Sequence, residues 1–502
     1  MATPSGLTDN SSLRAGTRPA SGFRPLLAFA ASITVLAACQ TVGPDYAAPS
    51  NPVAIENFPS GTGLAGEPGS TPWWSEGTDP ELGRLISQGL AANLDLEEAA
   101  ARVRASRALV RETGSLARPS ATLDASASAN RQSVAATGFP GLTAENRLSP
   151  SVSVAAAWEI DLFGRIARQI EGAEADAEAL EASRQDLARL IAADIALAYL
   201  DLREAETRAS VAERNLANQR STLELTGILA ENGKASQLDL ARARAQVAST
   251  EARLPQLRAQ GVSARNRLTT LLALEPGSLD SRLKQLAGLP QLPEVVLTGS
   301  PTSVISRRPD VRAAERNLAA AAARIGVATA DLYPSISLTG SSGLSSADAE
   351  DFTSGDAVSF GFGPRLTWNL FDRGAIYARI EQADANAAAS LARFRQTVLL
   401  ALEEVDTALA AYNEEAERTA RLIEAREASA EAQELARARF EVGREPFLTV
   451  LDAERVLLAA DDEVTASSAA RLRAQIQLYR AVAAVGLAPE TIPETSVPER
   501  KP

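Results

Sequence analysis

The chain carries one long unit twice, and this duplication constrains its fold more than any other feature. Gly164 recurs as Gly374, and Gly233 recurs as Gly443, each 210 residues further along the 502-residue chain. The two glycines of either copy are therefore 69 residues apart. Segments of equal length between matching landmarks indicate duplication, so the fold must use the same supersecondary unit twice.

Each copy predicts the same order of elements: a short helix, two strands, a long helix and a returning helix. The long segments are rich in Ala, Leu, Glu and Arg and contain no proline, which favours continuous helix. About 65 residues rising 1.5 Å each would span roughly 100 Å. Pro255 interrupts the returning helix of the first copy and is expected to kink it. The predicted ranges are 95–117, 121–130, 151–158, 165–230 and 236–274 in the first copy, and 310–332, 335–343, 357–368, 375–439 and 446–485 in the second.

The predicted strands alternate apolar residues with Ser, Thr and Gly, a pattern typical of strands with one lipid-facing and one water-facing side. In the second strand, Val152, Val154 and Ala156 fall on one face. Aromatic residues close the strands, where an interfacial belt would lie. Ordinary soluble hairpins are the alternative interpretation of this pattern. The proposed belt residues are Trp158, Phe163, Trp368 and Phe371.

Four strands cannot close a membrane barrel, because the smallest barrels have about eight. Three identical chains supply twelve. The predicted fold class is therefore mainly α with a membrane β-barrel: each chain has four β-strands and long antiparallel α-helices in two internal repeats. As a trimer it forms a 12-stranded barrel continued by an α-helical periplasmic tunnel. A long antiparallel coiled-coil bundle, with Ala as filler, is the alternative.

The first 38 residues have the features of a bacterial targeting segment. Three arginines precede an apolar run at 25–36 that is too short to span a membrane as a helix. The run leads into Leu-Ala-Ala-Cys, which is similar to a lipobox, and Cys39 is the only cysteine. We therefore predict that residues 1–38 are removed and that Cys39 carries a lipid. Gln40, instead of the Asp that often retains lipoproteins at the inner membrane, favours an outer-membrane address. A soluble signal peptide followed by an incidental cysteine is the alternative.

Composition excludes several function classes. The chain has no histidine, so it offers neither an imidazole base nor a His-ligated metal site, and one cysteine cannot form an internal disulfide. A formal charge of −13 argues against a nucleic-acid partner. With no nucleotide-binding loop and no acid pair in a supporting motif, we predict that the protein is not an enzyme. We also predict no metal and no cofactor apart from the lipid on Cys39.

The order and spacing of several short motifs resemble the TolC-like outer-membrane efflux family, in its NodT/OprM-type lipoprotein branch. The resemblance covers nearly all of residues 36–487. It implies a trimeric β-barrel continued by an α-helical tunnel, docked through a periplasmic adaptor to an inner-membrane pump. The motifs are Cys39 with Gly43-Pro44-Asp45-Tyr46-Ala47-Ala48-Pro49, Trp73-Trp74 with Asp79-Pro80, Trp158-Glu159-Ile160-Asp161-Leu162-Phe163-Gly164-Arg165, Arg308-Pro309-Asp310-Val311 with Ala314-Glu315, and Leu448-Thr449-Val450-Leu451-Asp452-Ala453.

Leu448, Asp452 and Arg455 are the candidate gate of the tunnel. Spacings of four and three residues place them on one face of the last helix. In a trimer, a ring of Leu would dewet a narrow pore and a ring of Asp would favour cations. The resemblance implies that these positions line or brace the closed periplasmic aperture. A core Leu beside a solvated ion pair, worth about 0.5 kcal/mol, is the alternative.

The first copy does not reproduce this charge pattern. Leu238 matches Leu448, but Arg242 stands opposite Asp452. The ring of charges is therefore not expected to be sixfold. Phe440 occupies a position where some family members have a Tyr latch, so a hydroxyl bridge is in doubt there.

The two helical turns are the candidate adaptor contacts. They are centred on Gly233 and Lys234 in the first copy and on Gly443 and Arg444 in the second. Glycine at a helix C-terminus also has a purely structural explanation, and both explanations can hold together.

We therefore predict the exit duct of a tripartite RND-type efflux pump, lipid-anchored in the outer membrane, extending into the periplasm and exporting drugs, toxic compounds or metal ions. Its partners would be two further copies, an adaptor (membrane fusion) protein, an inner-membrane RND transporter and outer-membrane lipid. A duct for type I protein secretion and a periplasmic coiled-coil adaptor or structural lipoprotein are the alternatives. The predicted divisions are signal peptide 1–38, lipid-anchored extended segment 39–94, first repeat 95–274, linker 275–309, second repeat 310–486 and flexible tail 487–502.

Overall fold

The computed structural model describes residues 41–49, 58–61, 72–75, 79–131, 133, 146–283, 288–293 and 301–482. These residues form two units, each described here by itself. One contains the strands of both copies, within 116–168 and 326–377, together with residues 41–43. The other contains most of the helical residues, within 44–115, 169–325 and 378–502. The structure therefore groups the chain by secondary structure and not by repeat.

The strand unit is one antiparallel sheet with the order β1-β2-β3-β4. Its strands are β1 (Ser120–Arg131), β2 (Asn146–Ile160), β3 (Ser335–Ser345) and β4 (Val358–Thr367), with two short 3-10 helices between β3 and β4. Strand β2 begins before the predicted start at residue 151. Pro150, which has no amide to donate to a ladder, lies within this additional stretch. The structure accommodates Pro150 opposite Ala127, and its carbonyl accepts from the amide of Ser346 at 3.2 Å.

The register gives the sheet one apolar and one polar face. Val154 lies between Leu123 of β1 and Ser342 of β3, whereas its neighbour Ser153 lies between Asp124 and Gly343. In a single chain both faces are largely open to solvent. The alternation predicted from the sequence is thus present as two faces of different polarity.

The helical elements are α1 (Pro80–Ala92), α2 (Leu94–Ser115), α3 (Arg165–Glu231), α4 (Gln237–Leu271), α5 (Pro301–Ser306), α6 (Pro309–Ala330), α7 (Arg373–Glu441) and α8 (Phe447–Ala481). The short, long and returning helices agree with the predicted ranges to within a few residues. Helix α4 continues through Pro255. Within the described residues, no helix is long and apolar enough to cross a membrane.

Helix α1 corrects the prediction that residues 39–94 are extended. Asp79 caps its N-terminus by accepting from the amide of Glu81 at 2.8 Å, and Pro80 occupies the first turn, where no amide is needed. Its apolar face packs into the main core, because Leu82, Leu85 and Ile86 are fully buried. The N-terminal cap and the apolar stripe therefore favour a helix here, although the sequence that precedes them is rich in Pro and Gly.

The main core of the helical unit joins both copies of the repeat. Tyr199 of α3, Leu268 of α4, Val405 of α7 and Ile476 of α8 all belong to one buried cluster with α1. A second seam between α3 and α4 contains Ala212, Leu216, Val247, Leu254 and Leu257. Other members of the main core are alanines, among them Ala192, Ala196 and Ala401, and their small side chains allow the helices to approach closely.

Candidate functional site

Helix α8 has a buried and an exposed face near its N-terminus. Leu448, Asp452 and Arg455 are all exposed, and 51% of the surface of Leu448 is open to solvent in the single chain. The opposite face packs against the rest of the unit through buried residues. These are Phe447, Val450, Leu451, Glu454 and Leu458. The three candidate gate residues therefore share the solvent-facing side of one helix, as their spacing predicts.

Asp452 lies between two surface grooves. One groove, which includes Leu448, runs between α8 and the alanine-rich stretch of α7 around Ala432. The other, which includes Arg455, runs between α8 and α4. The carboxylate is thus placed where a neighbouring surface could approach it from either side.

Asp452 and Arg455 do not pair with each other in the chain. The structure contains no ion pair for either residue among the described part of the molecule. The alternative interpretation, in which the two form a solvated pair three residues apart, is therefore wrong for the isolated chain. Both charges therefore lie on the open surface of the chain.

The helix that carries these residues is supported by aromatic packing. The rings of Phe440 and Phe447 lie 5.6 Å apart across the turn between α7 and α8. Phe447 and Leu451 bury against Ala243 of α4. Phe440 therefore contributes ring packing at this turn. It has no hydroxyl group, so it cannot form the bridge that a Tyr would form.

Glu454 is a residue that sequence reasoning missed. It is 8% exposed, and its Oε1 accepts a hydrogen bond of 2.7 Å from the Thr222 hydroxyl of α3. Burial raises the pKa of this carboxyl, although Thr222 and the charge of Arg437 act in the opposite direction. Its position on the apolar stripe of α8 could have indicated that Glu454 is buried. A charged residue is ordinarily expected at the surface, so this position was not recognised.

The two turns have the same backbone structure. Gly233 and Gly443 adopt φ of 76° and 72°, in the left-handed region that glycine tolerates best. The amide of Lys234 bonds to the carbonyl of Leu229 at 2.8 Å, and that of Arg444 to the carbonyl of Arg439 at 2.9 Å. These bonds form Schellman caps, so the structural explanation of both glycines is confirmed. Adaptor contact at Gly233, Lys234, Gly443 and Arg444 remains a prediction.

The first copy uses its polar residues differently. Asp239 forms a capping box with Ser236 at the start of α4, and Arg242 approaches Asp239 at 3.8 Å. This part of the first copy therefore caps its own helix. The described part of the first copy therefore has no unpaired carboxylate at the position that matches Asp452.

The strand-end aromatics occupy related positions in the two copies. The indole of Trp158 donates to the carbonyl of Ala117, and that of Trp368 to Leu332, both at 3.1 Å. Phe163 stacks on Tyr333 with ring centres 4.7 Å apart, while Phe371 is almost fully exposed. Cys39 and the tail 487–502 lie outside the described residues. Among the described residues no cluster of acidic side chains has the arrangement of a metal site.

Comparison with known proteins gives consistent matches over most of the chain. The family model described as "Outer membrane efflux protein" matches residues 85–274 and 301–484, one segment in each copy. Nodulation protein T of Rhizobium leguminosarum bv. trifolii is 33% identical over 440 residues, covering 87% of this chain and 91% of that protein.

Further matches include a solved structure. The antibiotic efflux pump outer membrane protein ArpC of Pseudomonas putida is 31% identical over 476 residues, covering 91% of this chain and 95% of ArpC. The structure of the outer-membrane channel OprN is 37% identical, with a TM-score of 0.80, and the match covers 89% of this chain and 99% of that one. Sequence and structure therefore match the same group of proteins.

Proposed function

The chain belongs to the outer membrane efflux protein family, and on that basis we propose that it is the outer-membrane exit duct of a tripartite RND-type efflux pump. It lies in the outer membrane and serves an inner-membrane transporter through a periplasmic adaptor. Its cargo is the small toxic compounds, drugs or metal ions that such pumps expel. The activity is conduction and not catalysis.

The observation that carries this proposal is the open four-stranded sheet. Its apolar face presents large side chains to the outside, with Phe360 and Phe362 exposed over 87% and 78% of their surface in the single chain. Such a face is unfavourable in water and suited to lipid. The opposite face is lined mainly by Ser, Thr and Gly, which suits a water-filled passage.

The sheet also explains why the duct is a trimer. Strands β1 and β4 are its edges, and in the described part of a single chain each has only one neighbour. Hydrocarbon cannot satisfy open backbone groups, so the edges must pair with other copies. Three chains close a barrel of twelve strands, and the helical units of the same chains form the tunnel. Leu448, Asp452 and Arg455 then line its aperture, and the two capped turns face the adaptor.

Gene deletion in the native host tests the proposed function. Loss of the duct should raise accumulation of a fluorescent pump substrate such as ethidium, because the pump has no exit. Complementation with the intact gene should restore export, and the purified protein should conduct in planar bilayers as a trimer. Normal efflux in the deletion strain, with no channel activity from purified trimers, would contradict the proposal.

Lipidation at Cys39 is a separate prediction. Because the lipobox-like run ends there and the chain has one cysteine, the mature N-terminus should be Cys39 with a diacylglycerol on its sulfur. Intact-mass and peptide mass spectrometry of membrane-extracted protein measures this directly. The Cys39→Ser variant should lack the lipid mass. A wild-type protein cleaved elsewhere with a free thiol would refute the prediction.

A further inference from the structure

Glu454 connects the two copies of the repeat at a buried point. It lies on α8, in the second copy, while its hydrogen-bond partner Thr222 lies on α3, in the first. Glu454 and Thr222 are 8% and 6% exposed, so the bond between them is shielded from water. Residue 454 faces inward, whereas residues 452 and 455 face solvent. The contact therefore attaches α8, the helix that carries the candidate gate residues, to α3 on the side opposite those residues.

Two buried polar atoms on α3 and α4 have no hydrogen-bond partner among the described residues. The Oε1 atom of Gln219 and the Oγ1 atom of Thr250 are buried and have no hydrogen-bond partner. Gln219 lies one turn from Thr222 on α3, and Thr250 lies between Val247 and Leu254 in the seam of α3 and α4. Buried polar atoms without partners weaken the packing of these two helices compared with an apolar seam.

Few charges act on the Glu454 carboxyl. From α3 it meets the hydroxyl of Thr222, and from α7 the charge of Arg437, which also pairs with Glu441 at 3.2 Å. Helix α4 packs on this part of α8 through Ala243, and its charged residues Arg242 and Arg253 line the neighbouring surface groove. The charge of Arg437 and one hydroxyl do not offset the cost of burying an ionised carboxylate, and the pKa of Glu454 is raised.

We propose that Glu454 is a proton-sensitive latch behind the gate: when neutral it holds α8 against α3, and when ionised it loosens α8 and makes the closed aperture easier to open. This inference rests on the proposed duct function. Glu454 does not touch the passing cargo. It is a positioning residue that acts through Leu448 and Asp452 on the other side of the helix.

The direction of the pH effect follows from linkage. Packing raises the pKa of Glu454 above the ordinary value of 4.5, so the packed arrangement holds the proton more tightly than an opened one. The stabilisation of the packed arrangement is fully present below pH 4.5 and is lost as the pH rises through the raised pKa. Acid should therefore close the duct, and neutral pH should favour opening.

Single-channel recording of Glu454→Gln trimers between pH 4.5 and 7.5 tests this latch. Wild-type open probability should rise at least about twofold across this range, because deprotonation of Glu454 removes the stabilisation of the packed arrangement. The amide of Glu454→Gln stays neutral and can still accept from Thr222, so its open probability should remain low and nearly constant. Glu463→Gln, which removes an exposed carboxylate of the same helix, should behave like the wild type.

Variants of Thr222, the hydrogen-bond partner of Glu454, give an independent test. Thr222→Val removes the hydrogen bond that favours the ionised form, so the pH midpoint should move upward, and Thr222→Ser should restore it. Hydrogen exchange of α8 peptides, corrected for intrinsic rates, should show faster opening at pH 7.5 than at 4.5 in the wild type and not in Glu454→Gln. This readout does not depend on conduction.

The possible outcomes distinguish failure of the latch proposal from failure of the duct proposal. Conducting trimers whose pH response is the same in wild type and Glu454→Gln would overturn the latch and leave the duct proposal standing. Trimers that fail to conduct in any variant would overturn the duct, whatever the exchange data show.

Discussion

Arg308→Ala is expected to destabilise the helical unit by about 3–5 kcal/mol, the range typical of breaking a buried ion pair on one side. The Arg308 side chain is 2% exposed and bonds Asp310 at 2.7 Å and Glu404 at 2.8 Å. It also donates to the carbonyl of Ala481 at 2.8 Å, at the end of α8. One guanidinium therefore connects α6, α7 and α8, and its loss leaves the Ala481 carbonyl and the partly buried Asp310 carboxylate without this partner, whereas Glu404 is already half exposed.

The charge state of Arg308 makes this effect large. Burial alone would lower the pKa of Arg308, but its bonds to Asp310 and Glu404 outweigh burial and raise it. The same contact lowers the pKa of Asp310, despite a burial effect in the opposite direction. The stabilisation that the Arg308–Asp310 pair contributes is thus present above the ordinary carboxyl pKa. It is lost as the pH falls through the lowered pKa of Asp310.

Chemical unfolding in detergent, followed by circular dichroism, measures the loss. Arg307→Ala is the matched control, because its neighbouring side chain is exposed, and it should change stability by less than about 0.5 kcal/mol. Arg308→Lys keeps the charge but not the planar fork, so an intermediate loss is expected. Equal stability of the two alanine variants would show that the buried network contributes nothing.

The double variant Leu448→Ala with Asp452→Ala should raise resting conductance at least about tenfold. If the leucine ring closes the aperture, burial of each side chain contributes about 1.5–3 kcal/mol, and 1.4 kcal/mol is already a factor of ten. Loss of the carboxylate ring should also weaken cation preference. Arg455→Ala alone should open the pore less, because the leucine ring remains.

The first copy supplies the control for this experiment. Leu238 and Arg242 occupy the matching positions, and Leu238 is similarly exposed. The pair Leu238→Ala and Arg242→Ala should leave resting conductance nearly unchanged, since an arginine and not a carboxylate occupies the position that matches Asp452. Conductance and reversal potential in a salt gradient report both effects. If the two double variants behave alike with trimers intact, the gate is not on α8 and its assignment must be withdrawn.

The sequence predicted the elements well because their determinants are local. Periodicity and the recurring glycines located the long helices and their turns, and spacing alone placed Leu448, Asp452 and Arg455 on one exposed face. Helix α1 was missed although Asp79 and Pro80 carry its start signal, because the surrounding composition suggested an extended chain.

The remaining features depend on contacts between distant segments. Glu454 and Thr222 are 232 residues apart, and Arg308 reaches Glu404 and Ala481 on two other helices. A charged residue on an apolar stripe can be read as a surface residue until its partner is known. Such pairings are tertiary, so a single sequence does not reveal them.

The open edges of the sheet have a genetic consequence. In the proposed trimer each subunit pairs β1 with one neighbour and β4 with the other, so a defective edge disrupts the whole ring and not only its own chain. In a cell making equal amounts of intact and defective chains, random mixing leaves only about one trimer in eight free of the defect. A proline in the middle of β1 should therefore be dominant over the normal allele. Loss of the gene should be recessive.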